Sequence, residues 1–497
     1  METTDRNLAT RPVRLLAVLA ALWVGGPAAA GDPAPGPLES WLDAEVGAAM
    51  ERDRVPGLVI AIVRPDGVPV LRGYGRADVE DEIPMDPERT VLPVASVSKL
   101  YTAATVLELA ADGRLDLDAD VTGYVDGLAF RGAPSSPVTL RHLLTHTAGL
   151  DERNLGRYLP LDLSDTSVRD YLLASMPPRI RPPGVVYQYS NHGMALAGLV
   201  AEEAAGVPFP DLVAARVHEP LGMTRSSFDP AAPRGATGYA DVDGVLTPQA
   251  PHYVRTAYSG MMVSSAADQV RMLRELLRPG VLDAATIDGL TSPRFRHGEE
   301  SPGTAFGAFE GLWAGRSYWW HEGQTRGFYA GLYVVPEAGL GLFVAYNRHH
   351  GATAHRLLRA LLERELGPHG PESSLRPSRE PTEALAERIE GTYRFVRHAH
   401  TTRELFFASM LGRAAEVTVR REDDGAFRVA HARFVHSRDL VLVEPGIGAV
   451  NGFLAGNDGR ARFLYYARSA FERIPWYARE TVRDGWIALS TICLLYT

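Results

Sequence analysis

The chain has 497 residues, of which 45% are hydrophobic and 22% are charged, enough for two or three folded domains with sizeable cores. The formal net charge of -9 and the lack of dense arginine clusters argue against nucleic acid as a partner. The single cysteine, Cys493, excludes an intrachain disulfide. These limits favour a globular, multidomain protein.

Residues 1–30 have the pattern of a signal peptide. Arg6, Arg11 and Arg14 precede the apolar run Leu15–Val24, and three alanines at 28–30 supply a cleavage site. We therefore expect the mature chain to begin near Gly31 and to work on the periplasmic or extracellular side. The alternative for this segment is a buried first helix.

The first folded elements are predicted to be a helix and a β-hairpin. Leu38–Arg54 has an apolar stripe at helical spacing and ends before Pro56-Gly57. Two short apolar runs follow, Leu58–Val63 and Val68–Tyr74, and Pro65-Asp66-Gly67 separates them as a turn signal.

A second strand pair is predicted far along the chain, over Phe328–Val335 and Leu340–Tyr346, and a leucine-rich helix follows it. The pattern between Asp116 and about Leu290 is mainly helical. The economical arrangement is one antiparallel sheet built from both ends of residues 36–366, flanked by the terminal helices, with a helical insertion beside it. This is an α/β (α+β) domain.

The remaining chain is predicted to hold a linker and a small β-domain. Residues 367–384 contain four prolines and are expected to form a Pro-rich linker. Residues 385–475 carry short β-rich runs separated by turn signals, which predicts a small all-β, barrel-like domain. The runs are Gly391–Val396, Glu416–Arg421, Phe427–Ala430, Leu440–Glu444 and Ala461–Tyr466.

The C-terminus is mostly apolar from Trp486 to Tyr496. A membrane-spanning helix needs about 20 such residues, so we interpret residues 486–497 as the possible start of a truncated transmembrane helix that would anchor the protein. Arg473, Arg479 and Arg483, on the side that should be translocated, run against the positive-inside tendency. The alternative is an apolar tail packed on a domain.

Lys99 is the only lysine in a chain with 51 lysine and arginine residues. An arginine stays charged, whereas burial and nearby charge can make a lysine amine neutral, so Lys99 can serve as a base. Ser96 lies three residues before it, at the start of a helix-like run, and the two side chains share one face. A cation in a first helical turn opposes the helix dipole, and such breaks of a local rule tend to mark functional sites. The alternative is that Ser96 or Ser98 is a helix N-cap and Lys99 a surface residue.

Three further stretches accompany this pair. They are Tyr189-Ser190-Asn191 before a helix, His321-Glu322-Gly323-Gln324 at the mouth of a strand, and Leu140–Leu150, which contains His142 and His146. Taken in this order and spacing, the set resembles the serine β-lactamase and penicillin-binding protein family, in the branch with class C β-lactamases, D,D-peptidases and esterases. The resemblance covers roughly Leu38–Leu366.

The resemblance implies a role for each matched residue. Ser96 would be the nucleophile, Lys99 its base, and Tyr189 the second acid or base across the cleft. Asn191 would hydrogen-bond a substrate amide or carbonyl, and the backbone N–H groups of Ser96 and Gln324 would form an oxyanion hole. Gly323 would let the strand edge approach the substrate closely.

His321 and Glu322 replace the lysine-threonine pair of the β-lactamases. His321 is only partly protonated near neutral pH, and Glu322 would add negative charge where a substrate carboxylate lies. Both changes argue against efficient binding of anionic β-lactams. His142 and His146 are interpreted as structural, because nothing supplies a third metal ligand at useful spacing, and no metal or cofactor is expected.

The sequence thus predicts an exported serine hydrolase that acts through an acyl-enzyme on an ester or amide of a small acyl or D-amino acyl substrate. One alternative is a D,D-carboxypeptidase or a β-lactamase. An alternative from another class is a non-catalytic, membrane-tethered binding or sensor module.

Overall fold

The computed structural model describes residues 38–479 except 66, 133–135, 155, 161–166, 300, 370–377, 379–381, 402–415, 445–449 and 467–468. The predicted signal peptide and the predicted C-terminal membrane segment lie outside the described residues, as does most of the predicted linker. Within the described part of the chain, no helix is both long enough and apolar enough to cross a membrane.

The helices of the described chain differ widely in length, from 3 residues in α7 to 16 in α1. In order they are α1 (Leu38–Asp53), α2 (Ser98–Ala111), α3 (Leu140–Leu144), α4 (Val168–Ala174), α5 (Asn191–Ala205), α6 (Phe209–Val213), α7 (Glu219–Leu221), α8 (Ala266–Leu277), α9 (Ala284–Thr291), α10 (Ala352–Leu366) and α11 (Glu383–Ile389). A 3-10 turn, Ala95–Val97, leads directly into α2.

The strands fall into one large sheet, one barrel and three small pairs. The first thirteen are β1 (Gly57–Val63), β2 (Val70–Asp78), β3 (Ile83–Pro84), β4 (Leu92–Pro93), β5 (Tyr158–Pro160), β6 (Gly238–Val242), β7 (Val245–Gln249), β8 (His252–Val254), β9 (Val263–Ser264), β10 (Phe309–Trp313), β11 (Arg316–Thr325), β12 (Phe328–Val335) and β13 (Leu340–Tyr346). The last eight are β14 (Gly391–Phe395), β15 (Glu416–Arg421), β16 (Phe427–Val429), β17 (Ala432–Arg438), β18 (Val441–Val443), β19 (Val450–Ala455), β20 (Ala461–Tyr466) and β21 (Ser469–Ile474).

The large sheet is antiparallel, in the order β10-β11-β12-β13-β1-β2-β3, which confirms the prediction that both ends of the domain build one sheet. Its centre is the pairing of β1 with β13, in which Ile60 lies opposite Val344. The sequence analysis did not identify β10, and it placed the stretch around His321 at the mouth of a strand rather than within β11.

The sheet is covered on both faces, because alternate residues of a strand point to opposite sides. Ile60 and its neighbours at every second position pack with α1 and α10 in the outer layer. Val59 and Ala61 pack on the other side with α2, α5 and α8. Helix α2 lies inside this second layer and is buried from Ser98 to Leu107, as expected of a helix that is apolar nearly all round. This burial fixes the first turn of α2 against the sheet.

The C-terminal β-domain is a closed barrel of β14 to β21, which confirms the predicted barrel-like fold. Each strand pairs with the next, and β21 closes the ring against β14, so no strand edge is left open. The barrel contacts the first domain through Val186, which packs with Val396 and Ala470. An ion pair of 2.5 Å between Arg181 and Glu472 lies beside this contact.

Candidate active site

Ser96 lies in the 3-10 turn between β4 and α2. Ala95, just before it, has a φ of +46°, a left-handed conformation that residues with a side chain rarely adopt. The turn is held on both sides, because Val94 N–H donates to the Met262 carbonyl at 3.0 Å and Met262 N–H donates to Ser98 Oγ at 3.1 Å. Strained backbone of this kind persists only where the surroundings enforce it, and it clusters at functional sites.

Lys99 is fully buried, with 0% of its surface exposed, in the first turn of α2. Its Nζ lies 3.0 Å from Ser96 Oγ and donates a hydrogen bond of 2.6 Å to the Ser259 carbonyl. Burial holds the pKa of Lys99 well below its usual value, and the positive charges of Arg397 and Arg157 lower it further against the opposing effect of Glu152. This shift favours the neutral form of the amine, which can accept the serine proton.

Tyr189 lies directly before the N-cap of α5, where Ser190 Oγ accepts a hydrogen bond from Gly193 N–H at 2.9 Å. This cap fixes the start of the helix and brings the Tyr189 ring to 4.9 Å from Lys99 Nζ. Burial raises the pKa of Tyr189 to about 12, although Arg397 and a hydrogen bond with Ser96 oppose that rise. The hydroxyl is therefore protonated at neutral pH and available as an acid.

His321 faces the cleft from β11, with its ring centroid 6.1 Å from that of Tyr189. Its Nδ1–H donates to the Glu322 carbonyl at 2.7 Å, and its Nε2 is buried without a hydrogen-bond partner among the described atoms. Burial, with a contribution from Lys99, lowers the pKa of His321 to about 3. His321 is thus a neutral acceptor rather than a partly charged side chain, which corrects the expectation from its free pKa.

Glu322 points to the opposite face of the sheet, because neighbouring residues of a strand alternate. Its carboxylate accepts a hydrogen bond of 2.6 Å from the Tyr333 hydroxyl and lies 2.6 Å from His355 Nε2, under α10. The expectation that Glu322 adds negative charge to the substrate cleft is therefore wrong.

Gly323 lies where β11 crosses the nucleophile turn. A Cβ at this position would be 2.0 Å from the Val94 carbonyl oxygen and 2.8 Å from Ser96 N. Glycine is thus required at position 323 because β11 comes close to the backbone of the nucleophile turn, and not only because β11 comes close to the substrate. β10 pairs with β11 no further than Trp320, so the edge of β11 that carries Gln324 is open beside Ser96. Gln324 itself has an exposed side chain.

The remaining sequence-predicted residues divide between the cleft and its scaffold. Asn191 is the first residue of α5 and is half-buried beside Tyr189. His142 completes the capping box of α3 with Thr139, a structural role. His146, which was also interpreted as structural, packs its ring 4.4 Å from the ring of Tyr189 and so forms part of the cleft wall.

Arg397 reaches the site from the C-terminal barrel, and sequence reasoning missed it. Its guanidinium carbon lies 4.6 Å from the ring centroid of Tyr189, and its Nε lies 3.1 Å from a carboxylate oxygen of Glu152. Asp151 holds the same loop by accepting hydrogen bonds from the backbone N–H groups of His400 at 2.8 Å and Thr401 at 2.9 Å. The sequence gives no signal for this contact, because Arg397 follows the linker and belongs to no motif.

No three His, Cys, Asp or Glu side chains of the described chain lie together in a way that could hold a metal ion. The chemistry that the cleft offers resides in three groups, the Ser96 hydroxyl, the buried amine of Lys99 and the protonated Tyr189. Together they suit acyl transfer through a serine, with proton movement between amine and phenol.

This geometry and fold define a serine hydrolase. The chain belongs to the β-lactamase family, since the family model described as Beta-lactamase matches residues 42–365.

Two relatives of this chain are named as enzymes. The chain is 33% identical over 309 residues to esterase EstB of Burkholderia gladioli, covering 54% of this chain and 78% of the esterase. It is 26% identical over 416 residues to a D-aminopeptidase of Gluconobacter oxydans (strain 621H), covering 82% of this chain and 77% of that enzyme.

Solved structures share the fold across both domains. The crystal structure of SurE superposes with a TM-score of 0.62 at 23% identity, covering 88% of this chain and 99% of SurE. The octameric penicillin-binding protein homologue from Pyrococcus abyssi gives a TM-score of 0.58 at 22% identity, covering 87% and 99%. These coverages exceed the part of the chain matched by the family model, so the likeness extends into the barrel.

Proposed function

We propose that the protein hydrolyses an ester or an amide of a small acyl or D-amino acyl compound through an acyl-enzyme on Ser96. The observation that carries this proposal is the 3.0 Å separation between Ser96 Oγ and the fully buried amine of Lys99. A serine hydroxyl is a weak nucleophile until a base takes its proton, and a neutral amine at hydrogen-bond distance can do so.

In acylation, the Ser96 proton passes to Lys99 Nζ as Oγ forms a bond to the substrate carbonyl carbon. The new ammonium keeps its hydrogen bond to the Ser259 carbonyl, which stabilises the charge in a buried place. The backbone N–H groups of Ser96 and Gln324 receive the oxyanion, and loss of one such donor typically costs about 100-fold or more in rate.

Tyr189 completes the proton balance. Its hydroxyl gives a proton to the leaving oxygen or nitrogen as the bond to the carbonyl carbon breaks, and the Lys99 ammonium returns a proton to the phenolate. In deacylation a water molecule attacks the ester of Ser96, its proton passes to the same amine and phenol pair, and Ser96 Oγ recovers its proton as it leaves. In this proposal Asn191, half-buried at the start of α5, binds the amide or carbonyl of the acyl group.

The substrate class rests on the relatives and on His321. Esterase and D-aminopeptidase relatives support ester and D-amino acyl amide substrates, and the match to the D-aminopeptidase extends beyond the hydrolase domain into the barrel. A neutral His321 supplies no cation for a carboxylate beside the leaving group. This argues against a D,D-carboxypeptidase or a β-lactamase, both of which take substrates with a carboxylate there.

Export and membrane anchoring are part of the proposal. Export is supported by the order of arginines, apolar run and small residues in 1–30. A fluorescent fusion to residues 1–40 should leave the cytoplasm, and retention there would refute export. Anchoring through a helix that begins at residues 486–497 predicts that a chain carrying the whole helix sediments with membranes, while a chain ending at residue 479 does not.

Labelling with a fluorophosphonate tests the enzyme proposal, because the reagent forms a covalent bond only with an activated serine. We expect labelling of the native protein and of Ser175→Ala, a matched serine outside the cleft, and none of Ser96→Ala. Equal labelling of Ser96→Ala, or no labelling of the native protein, would refute it. Turnover of p-nitrophenyl esters, a D-alanyl p-nitroanilide and nitrocefin would then rank the substrate classes.

A further inference from the structure

A cavity of about 540 Å³ lies at the far end of β11, beyond the open edge that faces Ser96. Its wall includes Gln324 and Thr325 at the end of β11 and Arg326 of the β11–β12 turn, and His252 of β8 lies across from them. Gln324 belongs both to this wall and to the strand segment beside the nucleophile turn. The cavity therefore continues the cleft and does not form a separate site.

The residues that line this cavity carry more positive than negative charge. Asp241 is the one carboxylate among the lining residues that the structure describes, and two guanidinium groups share it, those of Arg54 at 2.9 Å and Arg348 at 3.1 Å. Arg326 is exposed and makes no hydrogen bond or ion pair with any described residue. One guanidinium with five donors is thus free to bind a ligand.

The surroundings of His252 also indicate a positive electrostatic potential in this cavity. Its Nε2 lies 2.7 Å from Thr325 Oγ1. Burial, together with the charges of Arg326 and Arg234, lowers the pKa of His252 to about 4. The histidine is therefore neutral, and the free positive charge of this wall belongs to Arg326.

We propose that this cavity binds the acyl portion of the substrate and that Arg326 selects acyl groups ending in a carboxylate. This inference rests on the proposed function. The leaving group has to reach the Tyr189 hydroxyl to receive its proton, and Tyr189 and Arg397 do not line the cavity. The space beyond Gln324 is therefore left to the acyl chain, and a planar guanidinium matches a carboxylate in geometry as well as in charge.

The dimensions suit an acyl chain of about six carbons. Residues of a strand advance about 3.3 Å each, so the backbone of Arg326 is at most about 10 Å beyond Gly323, which lies against Ser96. The ring of Tyr158 in the cavity wall offers apolar contact to the methylene groups between the two ends.

The test compares mono-p-nitrophenyl adipate, whose acyl chain ends in a carboxylate, with its neutral methyl ester. The measured quantity is the ratio of kcat/KM for the acid to that for the methyl ester. We expect Arg326→Gln to lower this ratio about tenfold, the loss of one charge-assisted hydrogen bond, and Arg326→Lys to keep part of it. Arg316→Gln removes an exposed arginine at the other end of β11 and should leave the ratio unchanged.

A second pair of substrates places the charge on the leaving group, as in hexanoyl esters of 4-hydroxybenzoate and of its methyl ester. An equal loss of preference for the charged member of this pair in Arg326→Gln would overturn the assignment of the cavity to the acyl side. An unchanged adipate ratio in Arg326→Gln would overturn the role of Arg326. If a fluorophosphonate labels Ser96 but neither adipate is hydrolysed, this inference fails while the proposed function stands. If Ser96 is not labelled at all, the proposed function itself fails.

Discussion

The guanidinium of Arg397, which the C-terminal barrel carries, lies 4.6 Å from the ring centroid of Tyr189 on the hydrolase domain. Glu152 fixes this guanidinium from the other side at 3.1 Å. A cation over an aromatic face is attracted to the ring and also acts on nearby titratable groups. The barrel therefore takes part in setting the electrostatics of the cleft.

Replacing Arg397 with glutamine should move the acidic limb of the kcat/KM profile to higher pH. The positive charge of Arg397 lowers the pKa of Lys99, so its loss raises that pKa, and the unpaired carboxylate of Glu152 raises it further. A base works only above its pKa, so activity at neutral pH should fall severalfold and recover in alkali. Arg394→Gln, which breaks an ion pair with Glu416 inside the barrel, is the matched control and should leave the profile in place. An unshifted profile in Arg397→Gln would refute the coupling.

Lys99→Arg should inactivate the enzyme almost as fully as Lys99→Ala. Arginine stays protonated and so cannot accept the serine proton, and general base catalysis typically contributes about 100- to 10,000-fold. The measurement is the rate of fluorophosphonate labelling, with circular dichroism to verify the fold. Turnover near the native level in Lys99→Arg would rule out the role of Lys99 as base.

Gly323→Ala should reduce kcat/KM by about 100-fold or more. The added Cβ would lie 2.0 Å from the Val94 carbonyl oxygen, so β11 has to move away from the nucleophile turn. Small displacements of reacting groups carry large rate penalties. Gly47→Ala on α1 is the control, since a Cβ there meets nothing within 4 Å. Activity of Gly323→Ala close to that of Gly47→Ala would contradict the close approach.

Glu322→Gln should lower the free energy of unfolding by about 1–3 kcal/mol, because it weakens hydrogen bonding to Tyr333 and His355 in a nearly buried place. Its relative kcat/KM for charged and neutral esters should not change, since the side chain faces away from the cleft. Urea denaturation and the adipate pair give the two readouts. An altered charge preference would place Glu322 at the substrate after all.

Stability should fall as the pH drops below about 6.5, the ordinary pKa of histidine. Burial lowers the pKa of His192 to about 3 in the folded chain. Between these two values the unfolded chain binds the proton and the folded chain does not, so stability is lost as pH falls, by up to about 1.4 kcal/mol per pH unit. Urea denaturation should show a shallower loss in His192→Gln than in the native protein or in His431→Gln, whose histidine is exposed. Equal slopes would refute this.

Local patterns sufficed to predict the sheet and the core of the site. β1 and β13 are continuous apolar runs of seven residues, which is what a strand buried on both faces requires. The spacing of Ser96 and Lys99 is a property of one helical turn, so no distant contact was needed to place them together. The prediction that Glu322 faces the substrate cleft was wrong because the pairing of β11 with β12 decides which face of the sheet each residue of β11 points to.

The sequence by itself determined the fold class, the order of the motifs and the one amine able to act as a base, because these follow from local periodicity and residue chemistry. Only the tertiary structure decided the state of that amine and of its surroundings. Burial lowers the pKa of Lys99 and of His321, the barrel brings Arg397 over Tyr189, and folding leaves Arg326 without a partner among the described residues, beside the open edge of β11. Burial and long-range charge depend on what the fold brings close in space, and spacing along the chain does not encode them.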